Sequence, residues 1–463
     1  MRISLPNDLR HPAALAAALG AHIAVRGKAE GQIVGIATHS DEVQKGDLFA
    51  CLAGAHGNGL SYARAALQHG ARALLCNGEP SADIGKCYVL YCKDPVDALL
   101  RAAAAYREKV RARVIAVTGS TGKTTVKEAI AAVLGGVPRS KGNFNSTVGM
   151  PLSVLSMPNA PYWVLELGIN RVAEMKRMAG ALSPDIAVIT NVGSAHIGHF
   201  GDLSTVISEK MELAQALSEH GVLVLPSELP LSLLSLPACR VLRVGALHGA
   251  DICATNVQMG EWGITCNLRS SETEIKNLQW PIPGQIGLSV ICLAGAVGIS
   301  EGRHAKEIRE GLLLAGACTP RMKREIVGEY LLLDDTYNAS PEAMAAALES
   351  LQLLAKGRPT VAVLGDMQEL GAYAPTLHEA VGAFAARYGT GSLFAYGQYA
   401  DAVCLGALRG GMLSESVHAY AREDGELLAK DLIRMLPQGA AVLFKASRRT
   451  AMDRVLEKVR RML

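Results

Sequence analysis

The stretch that decides the fold is VIAVTGSTGKTTVKEAI, residues 114–130. Four apolar residues of strand type lead into a Gly/Ser/Thr cluster, and a helical pattern begins at Lys123. A turn of this kind points backbone N–H groups inward at the start of a helix, which makes an anion site. We therefore expect a phosphate-binding loop of Gly119, Ser120, Thr121 and Gly122, with Lys123 reaching the phosphates and Thr124 or Thr125 offering a hydroxyl to Mg²⁺.

The loop departs from the general phosphate-loop pattern at one position. The spacing G-x-x-x-x-G-K-[ST] places a glycine at 117, where this chain has Val117. A Gly-rich turn without a ligand is the alternative interpretation, but Gly122, Lys123 and Thr124 have the spacing that nucleotide binding requires. The loop by itself predicts ATP or GTP binding, and it fits a transporter ATPase, a kinase and a ligase equally well.

Composition narrows the class of protein. The chain has 463 residues, 49% of them hydrophobic, which predicts a globular protein of two or three domains. Its 46 basic and 43 acidic residues leave a net charge of +3, so neither a nucleic acid nor a membrane surface is an expected partner. The ten cysteines form no CxxC pair, and no leader or long apolar run is present, which together favour the cytoplasm.

The order of strand-like and helix-like segments predicts three α/β domains. Short strand-like runs dominate residues 1–107, and a parallel, doubly wound sheet is expected in residues 108–317 from runs such as YWVLELG, IAVITNVG and GVLVLP. The strand–helix rhythm restarts in residues 318–463 with YLLLDD, TVAVLGDM, GSLFAYG and AAVLFKAS.

Several segments, taken in order, resemble the Mur ligase family. They are TGSTGKTT, KGNFNSTVGMPLSVL, ELGINRVAEM, ITNVGSAHIGHFGDLSTVISEKMEL, DDTYNASPEAM and LGDMQELG. The last two are typical of the branch that adds D-alanyl-D-alanine to UDP-N-acetylmuramoyl-tripeptide in peptidoglycan precursor synthesis. The resemblance implies an N-terminal acceptor-binding domain, a central ATP-binding domain and a C-terminal Rossmann-like domain that closes over the site.

The resemblance also implies the chemistry. ATP phosphorylates a small-molecule carboxylate, an amino acid or dipeptide amine attacks the acyl phosphate, and an amide, ADP and phosphate result. Such phosphoryl transfer needs a metal and cationic side chains more than covalent catalysis by the protein. A monomer is the favoured oligomeric state.

The family motifs assign roles to residues of the central domain. By resemblance, Glu166 ligates Mg²⁺, His196 lies near a second metal and the acyl phosphate, and Lys210 is the lysine that many relatives carry as a metal-ligating carbamate. Asn143 and Asn145 match a polar loop that contacts substrate near the γ-phosphate. Each has an ordinary alternative: a solvated strand-end Glu, a structural His, an exposed helix lysine, or a turn-forming Asn.

In the C-terminal domain the resemblance assigns one group of residues to the nucleotide and another to the amine. Arg321, Asp335, Tyr337 and Asn338 match positions that meet the nucleotide. Lys445, Ser447 and Arg448 match a cluster near the incoming amine, although a solvated basic face is the alternative for these three.

The pattern fails at three places. Relatives hold a UDP-sugar with the help of an Asp-Ser/Thr-Arg segment, and this chain has His39-Ser40-Asp41 at that position. Further on, relatives have an Asp and a His where this chain has Asn58 and Leu60. Where relatives carry polar residues on the adenine side, this chain has Ile286, Gly287 and Val290. Ala446 stands where a glycine is usual, which predicts a change beside the amine.

Three functions therefore stay open at this point. The first is a cell-wall ligase with divergent contacts, and the second is a Mur-like amide ligase recruited to another carboxylate and amine. The third is a non-catalytic nucleotide-binding paralogue, which the presence of Lys123, Glu166, His196 and Lys210 argues against.

Overall fold

Three β-sheets follow one another along the chain. The computed structural model describes residues 1–463 except 27–28, 55–56, 82–84, 195–196, 230–235, 247–248 and 320. Within this described part, two six-stranded sheets flank one eight-stranded sheet, and a short hairpin accompanies the first of them. The expected three-domain α/β architecture is confirmed.

The N-terminal domain is a mixed sheet in the order β1-β3-β4-β7-β8-β2, with β3, β4, β7 and β8 parallel. Its strands are β1 (Arg2–Ser4), β2 (His22–Arg26), β3 (Gly35–Ala37), β4 (Leu48–Ala50), β7 (Ala73–Cys76) and β8 (Cys87–Tyr91), with the hairpin β5 (Ala53–Gly54) and β6 (Gly57–Asn58). Its helices are α1 (Pro12–Leu19), α2 (Ala63–Gln68) and α3 (Pro95–Val110).

The central domain has the strand order β10-β9-β11-β12-β13-β14-β15-β16. The strands are β9 (Arg113–Thr118), β10 (Tyr162–Glu166), β11 (Ile186–Ile189), β12 (Val222–Pro226), β13 (Arg240–Gly245), β14 (Ile252–Gly260), β15 (Gly263–Arg269) and β16 (Glu274–Trp280). The helices are α4 (Lys123–Val133), α5 (Gly149–Leu155), α6 (Glu174–Leu182), α7 (Ile197–Phe200), α8 (Leu203–Gln215), α9 (Gln285–Ser300) and α10 (Ala305–Ala317).

The C-terminal domain has the order β17-β18-β22-β19-β20-β21, in which β17 alone is antiparallel. Its strands are β17 (Lys323–Val327), β18 (Tyr330–Asp335), β19 (Thr360–Gly365), β20 (Ser392–Tyr396), β21 (Val417–Tyr420) and β22 (Ala441–Lys445). Its helices are α11 (Pro341–Ala355), α12 (Ala374–Arg387), α13 (Ala400–Arg409), α14 (Gly425–Met435) and α15 (Met452–Met462).

The structure corrects the expectation of a wholly parallel central sheet. Strands β9 to β14 are parallel as predicted, but β14, β15 and β16 form an antiparallel meander at one edge. The predicted first domain boundary, after residue 107, falls inside α3, and the second, after 317, falls at the end of α10. Among the described residues, no helix is both long enough and apolar enough to cross a bilayer.

The central domain packs against both of its neighbours. Tyr106 of α3 stacks on Trp163 of β10 with ring centroids 5.8 Å apart, and Arg107 pairs with Asp185 at 2.9 Å. On the other side, the Ser350 hydroxyl of α11 donates to the Pro283 carbonyl at 2.9 Å. The central domain is thus in direct contact with α3 on one side and with α11 on the other.

Candidate active site

A cleft of about 490 Å³ lies between the carboxyl ends of the central and C-terminal sheets. Ligands of open α/β sheets bind at this edge, because the loops that follow parallel strands converge there. The cleft is lined by sixteen of the residues singled out from the sequence: Ser120, Thr121, Gly122, Lys123, Thr124, Thr125, Asn143, Asn145, Glu166, Arg321, Asp335, Tyr337, Asn338, Lys445, Ser447 and Arg448.

The loop after β9 has two residues with positive φ, and both are glycines. Gly119 has φ +151°, and a Cβ there would lie 1.9 Å from the Thr190 hydroxyl, so a larger residue is excluded. Gly122 has φ +79° and precedes the first residue of α4. Val117 stands where the general pattern has glycine, and it is a fully buried residue of β9. The turn starts two residues later, so a glycine is not required at 117.

Asn191, at the end of β11, organises this loop and was not singled out from the sequence. Its side-chain oxygen accepts hydrogen bonds from the backbone N–H groups of Ser120 and Thr121, each at 2.9 Å. Lys123 Nζ donates to the carbonyls of Gly119 at 2.8 Å and Ser120 at 3.3 Å. Asn191 therefore holds two backbone N–H groups of the loop, and the loop carbonyls hold the Lys123 ammonium.

Glu166 ends β10 beside this loop and is 3% exposed. One carboxylate oxygen accepts from the Thr124 hydroxyl at 2.8 Å, and the other accepts from the Asn145 amide at 2.8 Å. Both contacts link residues that the sequence assigned to one metal and substrate region. The carboxylate is therefore held in a single orientation at the cleft wall.

Lys127 is a second residue that sequence reasoning missed. It lies on α4 and is 1% exposed, and its Nζ donates to the Ser140 carbonyl at 2.8 Å and lies 3.8 Å from Glu166 Oε2. Ser140 in turn accepts the backbone N–H of Glu166 through its hydroxyl at 3.0 Å. Lys127 Nζ also lies 3.2 Å from Glu128 Oε1, so this buried ammonium is shared between Glu128 and Glu166 and offsets the charge of both.

Lys210 lies on α8, is 1% exposed and is not among the residues that line the cleft. Burial and, to a smaller extent, the nearby positive charge of Lys123 together lower the pKa of Lys210 to about 7, against the opposing effect of Glu342. Burial also lowers the pKa of Lys123, while Glu166 raises it. The alternative of an exposed helix lysine at 210 is wrong, because the side chain is enclosed.

The remaining predicted metal-side residue, His196, lies outside the described residues. Across the described ranges, no group of three or more His, Cys, Asp and Glu side chains has the arrangement of a metal site. Oxygen donors for a hard cation are nevertheless close together in the Thr124–Glu166 pair.

The C-terminal wall of the cleft is built by two neighbouring strand ends. Asp335 of β18 and Lys445 of β22 are opposite each other in the sheet, and their side chains form an ion pair. Lys445 Nζ also donates to the Asn338 carbonyl at 3.0 Å. The Arg321 guanidinium lies 4.2 Å from the ring centroid of Tyr337, so the residues predicted to meet the nucleotide form one surface.

Ala446 does not lie where the sequence suggested. It is fully buried and does not line the cleft, and a Cβ built on Gly365, at the end of β19, would lie 2.8 Å from the Ala446 Cβ. The expected effect of this Cβ on the amine is therefore wrong. The adjacent Ser447 does face the cleft, and its hydroxyl accepts the backbone N–H of Gln368 at 3.1 Å.

The part of the cleft that the family resemblance assigns to the base, here called the base side, is lined by apolar residues. Ile282 and Ile286 line it, whereas Val290 is buried within the domain. Gly287 also lies away from the cleft, and a Cβ there would come within 1.9 Å of the Ile282 carbonyl oxygen. Only the first of the three altered positions therefore faces the cleft.

Direct contacts join the two walls. Glu342 of α11 accepts hydrogen bonds from the Ser194 backbone N–H at 2.5 Å and hydroxyl at 2.8 Å. Gly198 of α7 donates its N–H to the Glu369 carbonyl at 3.1 Å, and a Cβ on Gly198 would lie 2.4 Å from the Gly371 nitrogen. The central and C-terminal domains are therefore in direct contact beside the cleft.

The part of the N-terminal domain that the family resemblance assigns to the acceptor, here called the acceptor region, is built differently. Asp41 is 76% exposed at its side chain, and its carboxylate accepts from the neighbouring Ser40 hydroxyl at 3.3 Å. Asn58 caps a short turn by accepting the Leu60 N–H at 3.1 Å. The charge change seen in the sequence is therefore on the surface, in a turn held by local contacts.

Known protein families match the central and C-terminal parts of this chain. Residues 117–298 match the family model of the Mur ligase middle domain, and residues 321–448 match that of the Mur ligase, glutamate ligase domain. The chain is 31% identical to the UDP-N-acetylmuramoyl-tripeptide–D-alanyl-D-alanine ligase of Bacillus subtilis over 92% of this chain and 93% of that enzyme.

Solved structures are similar over nearly the whole length. MurF from Acinetobacter baumannii superposes with a TM-score of 0.85 and 25% identity, covering 96% of this chain and 98% of that one. MurF ligase from Thermotoga maritima in complex with ADP superposes with a TM-score of 0.77 and 27% identity, covering 92% and 97%.

Proposed function

This chain belongs to the Mur ligase family, and on that premise we propose that it is an ATP-dependent amide ligase that joins D-alanyl-D-alanine to UDP-N-acetylmuramoyl-tripeptide. The observation that carries the proposal is the single cleft that unites the Lys123 loop and Glu166 with the Asp335–Lys445 pair. The relatives named for this reaction match along the length of both chains.

The reaction proceeds in two transfers. The acceptor carboxylate attacks the γ-phosphorus of ATP, the bond to the β-phosphate oxygen breaks, and an acyl phosphate and ADP form. The amine nitrogen then bonds to the acyl carbon, the carbon–oxygen bond to phosphate breaks, and the two protons lost by the ammonium leave with phosphate and solvent. In this proposal Lys123 and the backbone N–H groups at the start of α4 hold the phosphates, and Arg321, which lines the same cleft, adds a second cation from the other domain.

The residues present suit Mg²⁺ at the phosphate side. The Thr124 hydroxyl and the Glu166 carboxylate are hard oxygen donors 2.8 Å apart, in the pairing that this cation takes with nucleotide phosphates. When bound, Mg²⁺ would neutralise charge on the transferring phosphoryl group. The chain's own contribution is to keep Glu166 in orientation through Asn145 and Lys127.

The environment of Lys210 suits the carbamate that the family resemblance implies. A pKa of about 7 leaves much of the amine neutral at physiological pH, and the neutral amine is the form that combines with carbon dioxide. An enclosed carbamate would place a negative group near Lys123. We propose that Lys210 acts in this modified form.

A second candidate function follows from Asp41. An exposed aspartate at the position of the relatives' arginine repels an anionic diphosphate, which favours a recruited amide ligase with another acceptor. The phosphate side of the cleft would be unchanged in such an enzyme.

The test is ATP-dependent phosphate release with Mg²⁺. UDP-N-acetylmuramoyl-tripeptide with D-alanyl-D-alanine is compared with a panel of other carboxylates and amines. Turnover with the muramoyl pair, lost by about a thousand-fold in Lys123→Ala, is the expected result. Release only with another pair would establish the recruited ligase, and undiminished product from Lys123→Ala would contradict both functions.

A further inference from the structure

The contact between Glu342 and the loop after β11 joins the C-terminal domain to the central domain next to the phosphate loop. Glu342 is the second residue of α11 and does not line the cleft, although Ser340 and Ala343 on either side of it do. It belongs to the segment DDTYNASPEAM, in which the sequence gave it no role. Glu342 can therefore act on the reaction only through other residues.

The start of α11 fixes the position of this carboxylate. Ser340 is the N-cap residue, its hydroxyl accepts the Ala343 N–H at 3.3 Å, and Pro341 occupies the first turn. One oxygen of Glu342 accepts the Ser194 N–H at 2.5 Å and the Ser194 hydroxyl at 2.8 Å. The other oxygen is buried and accepts no hydrogen bond from the described residues. Within the described part of the chain, the bonds to Ser194 thus offset the desolvation of this carboxylate.

Gly193, the residue before Ser194, lets the two domains approach this closely. A Cβ at Gly193 would lie 2.5 Å from the Glu342 carboxyl carbon, so a larger residue could not remain there without displacing the carboxylate. The Gly193 N–H donates to the Ser120 hydroxyl at 2.8 Å, and the Gly193 carbonyl accepts from that hydroxyl at 3.1 Å. Ser120 belongs to the phosphate loop, so the dipeptide that meets Glu342 also holds that loop.

Ser120 extends this set of contacts to the backbone of the loop. It lines the cleft and is 7% exposed. Its N–H donates to the Asn191 side-chain oxygen at 2.9 Å, and its carbonyl accepts from Lys123 Nζ at 3.3 Å. A continuous series of hydrogen bonds therefore runs from Glu342 in the C-terminal domain to the lysine that is proposed to hold the phosphates. Packed and hydrogen-bonded networks of this kind can carry energetic coupling between two sites.

We propose that Glu342 is a positioning residue that couples docking of the C-terminal domain to the binding of ATP phosphates by the loop. The inference rests on the proposed function, because ATP is the ligand that this function assigns to the loop. While Glu342 holds Ser194, the Ser120 hydroxyl keeps its place, and less ordering is left for the phosphates to impose. The coupling acts in both directions, so bound ATP favours the docked C-terminal domain, which carries Arg321.

The test measures the affinity for ATP with Mg²⁺ by calorimetry, without acceptor or amine, so it does not depend on turnover. Glu342→Ala breaks the link at one end and Ser120→Ala at the other, and a double variant combines them. Glu342→Gln is the conservative variant, because a glutamine oxygen still accepts both bonds from Ser194. Ser194→Ala removes one donor and repeats the test if Glu342→Ala folds poorly. The matched control is Glu261→Gln, since this carboxylate pairs across the same interface with Lys356 but does not line the cleft.

We expect Glu342→Ala to weaken ATP binding about tenfold and Ser194→Ala about threefold, with the melting temperature little changed. Glu342→Gln should stay within about threefold of the wild type, and Glu261→Gln should equal it. The double variant should bind no more weakly than the weaker of its two single variants, because both substitutions break one series of contacts.

Three results would overturn the coupling. They are an unchanged ATP affinity in Glu342→Ala, a loss in Glu342→Gln as large as in Glu342→Ala, and losses that multiply in the double variant. A wild type that binds ATP but does not turn over the muramoyl pair would contradict the proposed cell-wall reaction and leave the coupling to the affinities alone. A wild type that binds no ATP would overturn both.

Discussion

The phosphate side of the cleft and the acceptor region of the N-terminal domain are built in opposite ways. The Glu166 side chain is 4% exposed and has partners from α4 and from the loop that precedes α5. The Asp41 side chain is 76% exposed, and its contacts are with Ser40 and His39 beside it. The residue proposed to hold the metal is thus fixed by contacts with distant parts of the chain, whereas the residue proposed to affect acceptor choice has only its sequence neighbours as partners.

Substitution of Lys210 has the largest effect that we expect on kcat among these tests. It asks whether the phosphate side of the cleft needs a modified lysine. We expect Lys210→Ala to lower kcat about 100-fold, whereas Lys306→Ala, an exposed helix lysine of the same domain, leaves it unchanged. Activity should fall in buffer depleted of carbon dioxide and return with bicarbonate.

The pH dependence of that effect has a definite sign. With a pKa of about 7, the neutral amine is about a tenth of Lys210 at pH 6 and about nine tenths at pH 8, so modification and activity rise with pH across this window. Full activity without carbon dioxide at pH 8 would contradict the carbamate.

Gly198 tests whether the phosphate side is complete only when the domains meet. In Gly198→Ala the new Cβ would collide with the Gly371 backbone of the other domain, while alanine suits the short helix α7 itself. We expect kcat to fall about tenfold with little change in melting temperature. Gly180→Ala in α6, where a Cβ meets open space, is the control, and equal rates for the two variants would refute the role of the contact.

Base selectivity should be weaker than phosphate selectivity. Because Ile282 and Ile286 line the base side of the cleft, we expect kcat/KM for ATP over GTP to be less than about tenfold. Ile286→His, which returns the residue type of relatives, should increase the preference. Discrimination of several hundred-fold in the unaltered chain would show that backbone groups read the base.

Asp41 gives the smallest expected effect, and it probes the acceptor region directly. If the acceptor carries a diphosphate, Asp41→Arg should lower its KM by a factor of a few, since exposed charge pairs contribute little. Glu219→Arg makes the same change of charge on an exposed site of the central domain. An increase in the KM for the muramoyl acceptor would favour the recruited ligase.

Local pattern was enough to predict the parallel strands that end at the cleft, the phosphate loop and most of the cleft lining, but not the antiparallel strands β14 to β16. The glycines of the loop, the spacing to Lys123 and the apolar runs act over a few residues, so the chain alone specifies them. The family motifs then assigned Glu166, Arg321, Asp335 and Lys445 to one site, and all four line the same cleft.

Only the tertiary structure decided which partners these residues have. Lys127 meets Glu166, Asn191 meets the phosphate loop, and Glu369 meets Gly198 through contacts that join distant parts of the chain, and no local period records them. The same holds for Ala446 and Gly287, whose neighbours turn them away from the cleft. Sequence determined the local elements and the chemical inventory, and packing decided which side chains face the reaction, because burial and charge pairing depend on neighbours in space.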